Sequence, residues 1–403
     1  MTSVRSTRNP MAFLDDELEE LREKGLYRRL RVVESEQAAH CRIDGQDVIT
    51  LSSNNYLGLT THPSLREATI FATQALGAGS GAVRTIAGTM TLHQQLEARL
   101  AEFKRVEATL TFQSGFTANT GAIPILAPEG SAIVSDELNH ASIIDGIRLT
   151  KAERKVFPHG DTDALRVTLR ELRAAPGGAE RTVLVITDGV FSMDGDIAPL
   201  PSIVEAAEEA EAIVYVDDAH GSGVLGRNGR GTVDHFDLHG RVHVQVGTLS
   251  KAIGVLGGYV AGSLALREIL IHRARPFLFS TSHPPGVAAA CLAAITILET
   301  EPERLERLWA NTRRFKDGLK GLGFDIGQSE TPITPVIAGD GALAMKLSDR
   351  LFEEGVFAQG IGYPTVPEAR SRVRTIVTAE HTDEDLDTCL AAFEKVGREL
   401  ALI

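Results

Sequence analysis

Short runs of aliphatic and β-branched residues recur through the middle of the chain: Ala132-Ile-Val134, Thr182-Val-Leu-Val-Ile186, Ala212-Ile-Val-Tyr-Val216, Val242-His-Val-Gln-Val246 and Gly258-Tyr-Val-Ala261. A strand with one wet face alternates apolar and polar residues, whereas most of these runs are continuously apolar, the mark of strands covered on both sides. Helical periodicity between most of them, as over Ile203 to Glu211, supplies that cover. The pattern predicts an α/β fold on a largely parallel sheet. Ahead of it, residues 13 to 32 read as a charged helical arm leading to a first strand-like segment, Val48-Ile-Thr-Leu51. From about Thr300 the texture changes to amphipathic helices (Pro302 to Gly321, Leu343 to Glu354, Asp383 to Leu402) with brief strands near Thr334-Pro-Val-Ile337 and Val373 to Val377. The expected organisation is an arm over 1–47, a large domain over 48–299 and a small carboxyl-terminal α/β domain over 300–403.

Composition removes several function classes. With 41 Lys+Arg against 54 Asp+Glu the formal charge is −13, which repels phosphate backbones and argues against nucleic acid as a partner. Cys41, Cys291 and Cys389 are widely spaced and form no C-x-x-C pair, so neither a disulfide framework nor a thiolate metal site is expected, and a reducing cytoplasm fits. No secretory apolar region stands near Met1, and Gly286 to Leu298, the longest nearly apolar run, falls short of the roughly 20 residues of a membrane span. That run is expected to be a buried core helix, and no membrane partner is expected.

Ligands of open parallel sheets gather at the carboxyl ends of the strands. There the sequence places Ser135-Asp136-Glu-Leu-Asn-His140, Thr187-Asp-Gly-Val-Phe-Ser192, Asp217-Asp218-Ala-His220 and Gly247-Thr248-Leu-Ser250-Lys251. If those strands are neighbours, carboxylates, hydroxyls, two imidazoles and one lysine meet at one edge.

Lys251 precedes Ala252-Ile-Gly-Val-Leu-Gly-Gly258, a small and apolar neighbourhood. Desolvation lowers an ammonium pKa, and a neutral amine there can form a Schiff base with an aldehyde cofactor. Asp217 and Asp218 suit a helix cap or turn, or a carboxylate facing a pyridinium nitrogen, with His220 close by. Ser114-Gly115-Phe116 opens an expected helix to Leu126, which makes either a phosphate cradle or a plain turn. Gly221-Ser-Gly223-Val-Leu-Gly226 matches G-x-G-x-x-G, but Asp-Asp-Ala-His separates it from the strand and loop residues follow, so a dinucleotide fold is discounted. Arg374, inside an apolar strand, needs an anion from the protein or from a substrate.

These motifs, together with Ser53-Asn54-Asn-Tyr-Leu-Gly58, Asn139-His-Ala-Ser142, Gly189-Val-Phe-Ser-Met-Asp-Gly195 and Phe279-Ser-Thr-Ser282, resemble the α-oxoamine synthase family over nearly the whole chain. These are pyridoxal-phosphate (PLP) enzymes that condense an amino acid with an acyl-CoA. The resemblance implies a PLP-dependent transferase of fold type I, with a mainly parallel seven-stranded sheet in the large domain. It implies that Lys251 carries the cofactor and moves protons at the amino acid's α-carbon. Asp217 would pair with the ring nitrogen, Ser192 and His220 would contact the ring oxygen, and His140 would stack on the ring. Ser114, Gly115, Phe116, Thr248 and Ser250 would hold the phosphate, with Ser280 and Thr281 reaching in from a second subunit of a homodimer. Arg374 would grip the substrate carboxylate, and Asn54 would line the acyl side. Within the family, Ser80 to Thr89 and Ser135 to Lys151 look most like the glycine C-acetyltransferase branch, which joins glycine to acetyl-CoA to give 2-amino-3-oxobutyrate. The alternative branch is 8-amino-7-oxononanoate synthase, which joins alanine to pimeloyl-CoA with loss of carbon dioxide, and a relaxed acyl range fits either.

Overall fold

The computed structural model describes residues 9–23, 27 and 29–403. Its strands, in chain order, are β1 (His40–Ile43), β2 (Gln46–Thr50), β3 (Ala108–Phe112), β4 (Ala132–Asp136), β5 (Glu153–Phe157), β6 (Val183–Asp188), β7 (Ile213–Asp217), β8 (Val244–Thr248), β9 (Gly258–Gly262), β10 (Ile333–Gly339), β11 (Val356–Phe357), β12 (Gln359–Ile361) and β13 (Ser371–Ile376). Seven of them form the central sheet in the order β3-β9-β8-β7-β6-β4-β5. Pairing is parallel from β8 through β7, β6 and β4 to β5, and β9 runs antiparallel to both of its neighbours.

The continuous apolar strands have the cause inferred from their sequence. Along β6, Val183 and Val185 enter one cluster with Leu165, Leu169, Ile203 and Val204 of helices Thr162–Ala174 and Leu200–Glu209. Leu184 and Ile186 enter another on the opposite face, with Ile123 and Ile143 of helices Gly115–Leu126 and Ala141–Arg148. Each such side chain withdrawn from water contributes about 1.5–3 kcal/mol, so both faces must be covered for the sheet to persist. The exception is the edge strand β5, Glu-Arg-Lys-Val-Phe, whose first four residues are exposed; its charges blunt an edge that would otherwise template further pairing.

Pro285–Thr300 is the buried helix expected from its composition, with Ala288, Cys291, Ala294 and Ile295 in the core. Among the described residues no helix is long and apolar enough to cross a membrane. Pro302 opens the next helix, Pro302–Leu322, where its missing amide proton is harmless. Helices Gly341–Glu353 and Asp383–Glu399 follow, with β10, β13 and β12 forming an antiparallel three-stranded sheet.

Two elements depart from expectation. The amino-terminal helix is Phe13–Glu23, shorter than the 13–32 pattern, and residues 24–26 and 28 lie outside the described residues. The segment around Val48 is not part of the central sheet: β2 pairs with β1 and, in parallel, with β11. Its Ile49 and the following Leu51 pack with Phe315, Leu347, Val373 and Phe393 of the carboxyl-terminal elements, while Val48 on the opposite face packs with Cys41 and Ile43 of β1.

Candidate active site

Strand order makes the carboxyl ends of β4, β6, β7 and β8 neighbours, and their termini deliver the side chains anticipated there. Asp188 and Asp217 are register partners on β6 and β7, and Thr248 ends β8. Lys251 follows three residues later, partly buried. Burial pulls its ammonium down to about 8 against the opposing charges of Asp217 and Asp188, so about a tenth is the free amine at pH 7, far more than for an ordinary lysine.

Asp217 is buried, and both its oxygens have fixed donors: the Ala219 N–H gives to Oδ1 (3.0 Å) and Asn119 Nδ2 gives to Oδ2 (2.6 Å). Asp218 points elsewhere, onto Lys104 Nζ (2.9 Å), Ser222 and Thr232, with both ion-pair partners fully enclosed. Of the Asp-Asp pair, only the first faces the site.

His220 is buried, accepts or donates to the Tyr56 hydroxyl through Nδ1 (2.7 Å), and is held well below the ordinary histidine range by burial and then by Lys251 and Arg374. His140 caps helix Ala141–Arg148. Its backbone N–H donates to Asp188 (2.9 Å), and its ring, whose pKa is lowered by burial, meets Ser142 Oγ (2.7 Å). Burial, and then the charge of Asp217, raise the Asp188 carboxyl well above the ordinary range.

The phosphate-cradle residues also assemble. Ser114 caps helix Gly115–Leu126, its hydroxyl taken up by the Thr117 N–H (3.1 Å), which leaves the Gly115 and Phe116 amides at the helix start. Thr248 sits against that start: a Cβ on Gly115 would lie 3.5 Å from its Cβ. Its hydroxyl meets that of Ser250 (2.7 Å). Gly258 permits this closeness, since a Cβ there would lie 2.4 Å from the Gly115 nitrogen. Ser280 is partly buried and Thr281 exposed in this chain, and Gln113 Nε2 donates to the Thr281 carbonyl (2.7 Å). Ser192 is partly buried just after β6.

Arg374 lies on β13 with its guanidinium turned to the cleft; Nη2 donates to Asn54 Oδ1 (3.0 Å), and burial lowers its pKa. Its buried Nε has no partner. Arg372, two residues away, is satisfied by Asp194 (2.6 Å) and the Met193 carbonyl. A lysine poised as a free amine, a buried carboxylate, amides and hydroxyls at a helix start and an arginine with an open N–H fit the aldehyde, ring nitrogen and phosphate of PLP and the carboxylate of an amino acid. Sequence inspection quoted Tyr56, Asp188 and Tyr215 only inside longer stretches, with no role given to any of them, and passed over Asn119, which only the packing of helix Gly115–Leu126 on β7 brings to Asp217.

The fold and this edge define a PLP-dependent transferase of fold type I. The family model described as aminotransferase class I and II matches residues 46–393, and the chain belongs to that family and, within it, to the α-oxoamine synthases. The 8-amino-7-oxononanoate synthase of Symbiobacterium thermophilum is 67% identical over 391 residues, covering 97% of this chain and 99% of the relative. That of Bacillus subtilis is 56% identical, covering 97% and 98%. Among solved structures, a serine palmitoyltransferase from S. paucimobilis carrying PLP and myriocin superposes with a TM-score of 0.92 at 33% identity, covering 98% of this chain and 100% of that one. The 8-amino-7-oxononanoate synthase of Francisella tularensis superposes with a TM-score of 0.74 at 27% identity, covering 88% and 99%.

These relatives overturn one expectation. The glycine and acetyl-CoA pairing drawn from residues 80–89 and 135–151 gives way to the 8-amino-7-oxononanoate synthase branch. In the structure, many of the residues in those two stretches are engaged in scaffold contacts rather than in an acyl pocket: Arg84 is bound in a buried bidentate pair with Glu97, Thr89 bonds back to Arg84, and Asn139 ties Ser135 to the Ile186 carbonyl.

Proposed function

We propose that the protein is an 8-amino-7-oxononanoate synthase. The observation that supports this most is the run of curated relatives carrying that name, at 54–67% identity over nearly the full chain. The product's structure dictates the substrates. Carbon 8 bears an amine, a hydrogen and a methyl but no carboxylate, so the amino acid is alanine and its carboxyl is lost. Carbons 1–7 are a dicarboxylic acyl unit, delivered as pimeloyl-CoA. The α-carbon of alanine bonds to the thioester carbonyl, the carbon–sulfur bond breaks to release CoA, and the carboxylate departs as carbon dioxide. The α-proton is removed before condensation and a proton is returned afterwards.

PLP, when bound, supplies the electron sink for negative charge at the α-carbon. Lys251 would carry it and would move the proton at that carbon; a pKa of about 8 suits a group that must accept and return a proton near neutrality. Asp217 would pair with the ring nitrogen, His220, neutral because it is buried, and Ser192 would contact the ring oxygen, and His140 would stack on the ring. The amides of Gly115 and Phe116 and the hydroxyls of Ser114, Thr248 and Ser250 hold the phosphate. Arg374 takes the alanine carboxylate on its open Nε–H, and Asn54 keeps the guanidinium in place beside the acyl path.

The active unit we propose is a cytoplasmic homodimer in which Ser280 and Thr281 complete the neighbouring phosphate site. Ile86 and Phe279, 83% and 70% exposed here, flank that segment and would be covered. Thiol release measured with alanine and pimeloyl-CoA, glycine and acetyl-CoA, and serine and palmitoyl-CoA tests the assignment. The first pair should give the highest kcat/KM by at least tenfold, and a higher value for either other pair would refute it. Lys251→Ala should lose borohydride-reducible PLP.

A further inference from the structure

Beneath the site a hydrogen-bond chain connects Asp217 to His140 through Asn119 and Ser142. Asn119, fully buried, receives the Tyr215 hydroxyl on Oδ1 (2.6 Å). That fixes which way its amide faces, and both Nδ2 hydrogens are then committed, one to Asp217 Oδ2 (2.6 Å) and one to Ser142 Oγ (2.8 Å). Ser142 continues the chain. Its backbone N–H donates to His140 Nδ1 (3.2 Å), so in the neutral ring that nitrogen carries no proton, and the Ser142 hydroxyl at 2.7 Å must donate to it as well. The His140 proton therefore sits on Nε2.

We propose that Asn119 is a positioning residue that presents the Asp217 carboxylate to the ring nitrogen and sets the His140 tautomer, through one amide bonded to both. The inference rests on the role given above to Asp217. A neutral amide is suited to this because the surroundings are already crowded with titratable groups: Asp188 on β6, Tyr215 on β7, His140 at its helix start and Lys251 beyond β8 all face Asp217. A second carboxylate there would compete for protons, and a cation would neutralise Asp217.

Asn119→Asp tests the idea with almost no change of shape. The new carboxyl meets Asp217 oxygen to oxygen, which is tolerable only while the two share a proton. The proton is present at low pH and lost as pH rises, so the defect must grow with pH. Near pH ~6 the apoprotein should bind PLP with nearly wild-type Kd and the bound cofactor should show the wild-type visible spectrum. Near pH ~8.5 its Kd should be weaker than wild type by about tenfold or more, with the spectrum displaced. A Kd ratio and spectrum that do not change with pH would make Asn119 a scaffold residue and overturn the proposal. Tyr215→Phe deletes one hydroxyl and serves if the first variant does not fold: freed to rotate, the amide should shift the pH midpoint of the bound-PLP spectrum, and an unmoved midpoint would overturn the proposal. Asp217→Asn separates the two layers. Wild-type turnover in Asp217→Asn removes the role of Asp217 and this inference with it, whereas an inactive Asp217→Asn beside an Asn119→Asp that follows wild type at every pH removes this inference alone.

Discussion

Asp188 and Asp217 stand directly opposite one another at the ends of β6 and β7, two buried carboxyl groups on neighbouring parallel strands. They are not equivalent. Asp217 has two fixed donors, whereas Asp188 is pushed well above the carboxylate range by burial and by its neighbour's charge. One edge thus holds an acid fixed by two donors beside an acid whose pKa is raised.

Asp188 has a consequence for stability. With a native pKa above the unfolded value of about 3.9, its contribution is complete below that pH and is lost as pH rises through the native pKa. Asp188→Asn keeps an acceptor for the His140 N–H and removes the titration. Thermal melts of the apoenzyme should show the variant gaining on wild type between pH ~4 and pH ~8, and a melting difference independent of pH would contradict this.

The adjacent aspartates should separate cleanly. Asp217→Asn should lower kcat by orders of magnitude at a stability cost of only about 1–3 kcal/mol, that of one buried donor left without an acceptor. Asp218→Asn should do the reverse, because it strands the buried Lys104 ammonium, a loss of about 3–5 kcal/mol, while turnover per folded molecule stays within a few-fold. Denaturant titration with kinetics on the soluble fraction checks both.

His159 lies between Asp136 (3.1 Å) and Asp196 (2.9 Å) and edge-on to Phe191, and those carboxylates raise it to about 10. Its stabilisation is therefore full below the unfolded value of about 6.5 and falls away as pH rises toward 10. The melting difference between wild type and His159→Asn should be greatest near pH ~6 and small above pH ~10; a difference that grows with pH would show that the ion pairs are not the source.

Arg374→Ala should raise the KM for alanine by roughly 10–100-fold, the worth of a charge-assisted hydrogen bond, and change the KM for the acyl-CoA far less. Equal losses on both substrates would make Arg374 a structural residue. Arg374→Lys should recover little, since an ammonium cannot reproduce the Asn54 contact and the second N–H together.

Much of this was legible in the chain because it depends on local pattern. Continuous apolar runs declare a sheet covered on both faces, and Lys251, Asp217, His220 and Arg374 each follow or interrupt such a run. The edge strand β5 carries no sequence signal because Glu153, Arg154 and Lys155 are not strand-like apolar residues, and the pairing of β2 with β11 is invisible there because partners over 300 residues apart leave no local trace. Lys104 with Asp218, and Asn119 with Asp217, are contacts across 114 and 98 positions.

The sequence by itself determined the class of fold, which follows from periodicity, and, through its resemblance to the α-oxoamine synthases, the cofactor; the side-chain types at strand ends supplied the candidates proposed to hold it. Tertiary structure alone decided which of two adjacent aspartates faces the site, which arginine on β13 keeps an open N–H, and which neutral side chains orient the charged ones. Those outcomes turn on burial and on distances of about 3 Å between residues far apart in the chain, and neither is encoded in any local stretch of it.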